Sequence, residues 1–352
     1  MSYNKSNYIS MVFSMTNELS NSVVAFVRNR IGILSCPKVY KTGGNGTGLQ
    51  QVDPLESQGS IALSLDGNFL FVVNAGSNSI SSFRVCQCGL TLVDVVPSGG
   101  IFPNSLTVNN NNLYVTNSGN SPQCPANVTG FHIESNGCLR IIRGSQRPLS
   151  SDAAKARCIV SSPYCDKLVV SEGETNNLSV YKVKCNGSLA GPIITPSNGV
   201  GPFGSAYLNN NLLIVSEVGP NALSSYHVTT NGILNVISGS VLNNQTATCW
   251  VSVNPNETYA YTSNTGTSTI TLYRINNDGT LTVVESRPST PNGTGAPIDS
   301  GIDRCGQNFY ALNGGEGSIS VFRINKNGHL VLLQIYQDTK LPQIGAQGIA
   351  VI

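Results

Sequence analysis

One unit recurs seven times along this 352-residue chain, and that recurrence limits its fold more than any other feature. Each copy is an alternating apolar run carrying an aromatic ring, then a polar turn, then a second alternating run. The copies read SVVAFVRNRIGIL (22–34), SISSFRVCQCGLTLV (79–93), NVTGFHIESNGCLRI (127–141), LSVYKVKCNGSLA (178–190), LSSYHVTTNGILNV (223–236), ITLYRINNDGTLTV (270–283) and ISVFRINKNGHLVL (319–332). Their rings, Phe26, Phe83, Phe131, Tyr181, Tyr226, Tyr273 and Phe322, follow at intervals of 57, 48, 50, 45, 47 and 49 residues. Two-residue alternation around Asn-Gly or Asp-Gly turns predicts a β-hairpin in each copy.

Two further short runs precede each of the last six hairpins: 60–64 with 69–73, 105–108 with 113–116, 158–161 with 168–171, 205–208 with 212–216, 250–253 with 258–262, and 299–302 with 309–312. Four strands per repeat, seven times over with no helical punctuation, predict an all-β seven-bladed β-propeller of four antiparallel strands per blade. Length alone suggests two domains or one large β architecture; the repeat predicts one domain, spanning 1–352. The first hairpin has one strand ahead of it (8–15), and an unpaired run, 347–352, ends the chain. Those two should complete one closing blade from about 346–352 plus 8–37, which hides the strand edges at the seam.

Composition agrees. Charged residues are 11% of the chain, against about 25% in average soluble proteins, while 36 Gly and 40 Asn disfavour helices. A hydrophobic share of 40% suffices for a core and excludes disorder. A net charge of +2 is too weak a field to imply nucleic acid or an anionic membrane as partner. No apolar run approaches the ~18 residues of a membrane span. The start, Met1-Ser2-Tyr3-Asn4-Lys5, lacks the basic and apolar regions of a secretory signal, so the default expectation is cytoplasmic, with a surface or extracellular setting as the alternative. The ten cysteines form no C-x-x-C pair, and the three histidines (132, 227, 329) fall on outer-hairpin patterns. No metal or cofactor is therefore expected, and Ser-His-Asp catalysis lacks support. Cys138 with Cys86 or Cys88, or Cys185 with Cys138, could bridge neighbouring outer turns in an oxidising setting; otherwise the thiols are free. Gly43-Gly44-Asn45-Gly46-Thr47-Gly48 lacks the Lys-Ser/Thr and helix of a phosphate loop and reads as the flexible linker behind the long first interval.

Leu113-Tyr114-Val115-Thr116-Asn117 is a YVTN-type strand ending, and SLDGNFLFVVNAGSNSISSFRV (64–85) resembles an "SPDGRxLYVxNxGSNxISxF" blade signature. On these motifs the chain resembles the lactonase-type seven-bladed propeller family, which includes 6-phosphogluconolactonase-like and carboxymuconate-cyclase-like proteins. The resemblance implies a site at the mouth of the central channel, where the innermost strands begin. The family's His-Pro-His segment falls on Lys155-Ala156-Arg157, its Pro-Arg positions on Pro202-Phe203 and Pro297-Ile298, and its glutamate on Trp250. The fold is therefore implied, and the family's recognisable catalytic His and Arg residues are replaced.

The second strand of each blade should end beside the start of the first, in a ring that reads Asn17, Asn74, Asn117, Glu172, Glu217, Asn264 and Asn313. Asn at these positions is explained by turn capping. The two glutamates break the pattern in adjacent blades, and Glu172 should lie across from Arg157. Either that pair simply closes the blade, or Lys155 and Arg157 bind a small anionic ligand that Glu172 or Glu217 orients or serves as base, with Phe203 and Trp250 as walls and Asp299 at the start of the last inner strand. The leading expectation is a binding or structural module with a small ligand or a protein partner. The alternatives are a hydrolase of an anionic sugar or organic-acid lactone, and a surface or particle-associated structural protein.

Overall fold

The computed structural model describes residues 10–87, 89–119 and 121–352. Seven antiparallel sheets, numbered here as blades in chain order, carry the repeat. Blade 1 orders Gln347–Val351, Met11–Met15, Ser22–Arg28 and Leu34–Lys41 from the channel outward; blade 2 orders Ile61–Leu63, Phe69–Asn74, Ser79–Cys86 and Gly89–Pro97. Blade 3 has Pro103–Asn109, Asn112–Asn117 and Asn127–Ile133, with an outer edge split into Leu139–Ile141 and Arg147–Pro148. The innermost strands of blades 4 to 7 are Ala156–Ser161, Pro202–Tyr207, Thr248–Val253 and Pro297–Ile302, each followed outward by three more.

The predicted closure is present. Val12 pairs with Val351, Phe13 with Ala350 and Met15 with Gln347 across one register shift. Blade 1 uses residues up to Lys41, slightly beyond the expected 37; positions 8 and 9 of its predicted first strand lie outside the described residues. A nearly buried ion pair, Arg28 to Asp303 at 2.8 Å, fastens the same blade to blade 7.

All seven repeat aromatics are buried, at 2% exposure or less. They fill the layers between neighbouring sheets, where burying each ring contributes on the order of 2–3 kcal/mol. The Gly of the hairpin turn has a second use. Gly187 (φ 78°) and Gly328 (φ 82°) take left-handed backbone, which the tight turn requires. Their carbonyls accept the hydroxyls of Tyr114 and Tyr261 from the preceding blade, each at 2.7 Å. The residue that turns the hairpin thus also ties one blade to the next. Nine cysteines are free thiols, including Cys86, Cys138 and Cys185, so no bridge joins those turns; Cys88 lies outside the described residues.

Candidate functional site at the channel mouth

The glycine run 43–48, expected to be a flexible linker, is tied to blade 1: Gly44 O accepts from Asn21 N at 3.1 Å, and Gly46 N and Gly48 N donate to Glu18 O at 2.8 Å and Asn17 O at 2.9 Å. Residues 52–60 form a strap that enters the channel and bonds to every other blade. The Ser57 hydroxyl donates to the Asn104 carbonyl at 2.8 Å, and the Ser105 hydroxyl to the Gln58 carbonyl at 2.5 Å, both in blade 3. The Gln58 amide donates to Arg157 O in blade 4 at 2.8 Å. Its side chain donates to Ser205 O in blade 5 at 2.9 Å and accepts from Val251 N in blade 6 at 2.8 Å. Gly59 N reaches Asp299 Oδ2 in blade 7 at 3.3 Å, and Gln347 Nε2 of blade 1 reaches Val52 O at 3.4 Å. Gly204 is needed in this arrangement, because a Cβ there would fall on the Gln58 side-chain oxygen.

Above the strap, where the inner strands of blades 4, 5 and 6 begin, a pocket of about 510 Å3 opens. Val52, Val200, Phe203, Val218, Ala247, Cys249 and Trp250 give it apolar walls; Arg157, Asp53 and Glu56 supply its charged groups. Phe203 and Trp250 meet edge to face with centroids 5.1 Å apart. The indole N–H is satisfied by Ser57 O at 3.0 Å.

Arg157 sits in a bulge. The ladder pairs Ala156 with Glu172 and Cys158 with Ser171, so Arg157 has no cross-strand partner and its side chain turns to the mouth. The expected alignment of Arg157 with Glu172 is therefore off by one residue. Its guanidinium lies 5.7 Å from the Phe203 ring centroid, in space that exists because Gly173 has no Cβ. It bonds the Glu56 carboxylate closely and Glu174 at 3.4 Å; Lys155 also meets Glu174 at 3.4 Å. Two cations face two carboxylates, and the rim is electrically balanced.

Glu172 and Glu217 turn away from the pocket, into their own blades, and are fully buried. Glu172 accepts from Ser150 N (3.0 Å), the Ser150 hydroxyl, Thr175 Oγ1 (2.7 Å) and Ser179 Oγ (2.6 Å). Glu217 accepts from Gly199 N (2.8 Å), Ser224 Oγ (2.6 Å) and Ser240 Oγ (2.6 Å). Asn74, Asn264 and Asn313 make the same bond with reversed polarity, donating to the hydroxyls of Ser81, Thr271 and Ser320. These ring positions lock the turn between the second and third strands.

Two other carboxyls lie in the channel. Burial, reinforced by Glu56 and opposed by Arg157, pushes Asp53 up to about 8; it lines the pocket and accepts the Glu56 amide at 3.0 Å. Burial also pushes Asp299 up to about 7, against the lowering effect of amides from Gly59, Ser300 and Ile349. Asp299 lies beneath the strap, apart from the pocket walls that Arg157, Phe203 and Trp250 form. Asp53, Glu56 and the strap itself escaped sequence reasoning. A larger groove of about 920 Å3 lies at the opposite end, between blades 2 and 3. Its charges are spent locally: Asp66 on Ser64 and Asn68, Arg84 on Phe69 and Asn136, Glu134 on Arg140. Among the described residues no three His, Cys, Asp or Glu side chains gather to hold a metal, and no helix is long and apolar enough to cross a membrane.

The family model described as "Lactonase, 7-bladed beta-propeller" matches residues 10–147 and 209–343. No curated protein matches the chain. Among solved structures, the periplasmic gluconolactonase of Pseudomonas aeruginosa superposes with a TM-score of 0.76 at 15% identity, covering 97% of this chain and 99% of that one. A protein of unknown function from Desulfotomaculum acetoxidans gives 0.75 at 14%, covering 97% and 98%. Virginiamycin B lyase from Staphylococcus aureus gives 0.56 at 15%, covering 82% and 87%. At these identities the superpositions report the fold alone.

Proposed function

Because the chain belongs to the seven-bladed lactonase family, we propose that it keeps the family scaffold as a binding module, holding a small molecule with an apolar ring in the mouth pocket rather than hydrolysing a lactone. The observation that carries this reading is the balance of the pocket: apolar walls led by Phe203 and Trp250, and an Arg157 already matched by two carboxylates. Such walls favour a ring-shaped apolar body, and Glu172 and Glu217, fully engaged with hydroxyl and amide donors, are spent on structure. Trp250 is the only Trp in the chain, so its fluorescence reports occupancy directly. Titration with aromatic and alicyclic compounds should give saturable changes, while a lactone panel gives no turnover above the uncatalysed rate. Turnover of any lactone sinks the binding-only reading.

The second reading is a hydrolase of an organic-acid lactone, favoured by Asp53. A pocket carboxyl raised to about 8 has the basicity for general-base catalysis near neutral pH. In that case Asp53→Asn abolishes turnover and leaves the Trp250 signal intact.

A further inference from the structure

Arg157 and Glu56 form an ion pair of unequal partners. The arginine side chain is only 14% exposed, and its place is built: Phe203 beneath it, Gly173 shaped to it, and Glu174 beside it. The Glu56 side chain is 55% exposed. Its backbone is fixed on both sides, by buried Leu55 and by Ser57 bonded to Asn104 O, so its carboxylate can leave Arg157 by side-chain rotation alone.

We propose that Glu56 is a built-in occupant of an oxyanion site at the mouth pocket, and that a ligand bearing a carboxylate gains Arg157 by displacing it. The inference rests on the mouth pocket being a ligand site. The incoming carboxylate takes over the pairing of the nearly buried guanidinium, and the displaced Glu56 side chain, already 55% exposed, passes into water, so no buried charge is left unpaired and the exchange costs little. The incoming carboxylate meets a guanidinium already oriented on an aromatic ring, next to apolar walls that accept the rest of the molecule. Glu56 then gates the site by competition: uncharged ligands enter without disturbing it, and carboxylates must displace it.

The test uses benzoate and its uncharged counterpart benzyl alcohol as probes, each titrated against Trp250 fluorescence. Glu56→Gln should raise the ratio of benzoate to benzyl alcohol affinity about 3- to 10-fold. Arg157→Lys, which keeps the charge but loses the planar fork, should lower that ratio and abolish the gain seen with Glu56→Gln. Glu56 is on the surface, so its variant tests the gate even if Arg157→Lys folds poorly. Benzyl alcohol binding with an unchanged ratio in Glu56→Gln overturns the gate and leaves the binding reading standing. Failure of both probes in all three proteins overturns both.

Discussion

Gln58 and Ser205 are 147 residues apart in sequence, yet the Gln58 side-chain amide donates to the Ser205 carbonyl at 2.9 Å in the centre of the channel. The same side chain accepts from Val251 N. One residue of a loop thus joins two blades to which it is not adjacent. Gln58→Ala removes both bonds and leaves two inner-strand groups unpaired, at about 1–3 kcal/mol each where they stay dry. The expected outcome is a drop of about 2–4 kcal/mol in unfolding free energy, read from the denaturant midpoint. A shift below 0.5 kcal/mol would show that water replaces the side chain.

Closure makes a stronger demand. Deleting residues 347–352 strips the inner strand from blade 1, bares the edge of Met11–Met15 and removes the Gln347 bond to the strap. An unpaired, buried-type edge promotes aggregation, so the truncated chain should appear in the insoluble fraction. A soluble, monomeric truncation would mean that the remaining blades hold the ring without it.

The buried glutamates should matter for stability and not for binding. Glu172→Gln and Glu217→Gln keep the shape but exchange charge-assisted acceptors for a half-donor amide among hydroxyl and amide donors. Each should destabilise the fold by about 1.5–3 kcal/mol. Ligand affinity at the mouth, followed by Trp250 fluorescence, should not move. If affinity falls while stability holds, these carboxylates act at the pocket after all.

Stability should also depend on pH in a stated direction. Asp299 is raised to about 7 in the folded protein, whereas in the unfolded chain it titrates near 4. Between those values the folded state keeps a proton that the unfolded state has lost. Its stabilising share is therefore complete at about pH 4 and is lost as pH rises through 7, at up to about 1.4 kcal/mol per pH unit. Asp53, raised further but partly exposed, adds in the same direction with a smaller weight. Unfolding curves from pH 4 to 8 should show this slope, and Asp299→Asn should flatten it. An identical slope in that variant would assign the effect elsewhere.

The blades and their closure were legible because they are periodic: each Asn-Gly or Asp-Gly turn fixes a hairpin, and Phe26 to Phe322 mark the same layer seven times. The structural role of Glu172 and Glu217 also left a trace. A hydroxyl stands seven residues after the ring position in five blades, as in Asn74 with Ser81 and Glu172 with Ser179, and that spacing pairs the last residue of one strand with its neighbour. What stayed hidden depends on departures from period. A single bulge at Arg157 shifts its partner from Glu172 to Glu56 and Glu174, and alternation cannot register a bulge in advance. The strap has no repeat to betray it, because its partners are carbonyls and amides, which every sequence supplies.

Those partners bear on how the molecule assembles. The strap leaves the ribosome early, but its contacts arrive in instalments, at 104, 157, 205, 251, 299 and finally 347. The channel interior can therefore be completed only after the last strand has been made. Such distant pairings make folding slow and leave incomplete chains open to misassembly, so nascent propellers of this sequence must wait, with an unfilled centre, for the strand Gln347–Val351.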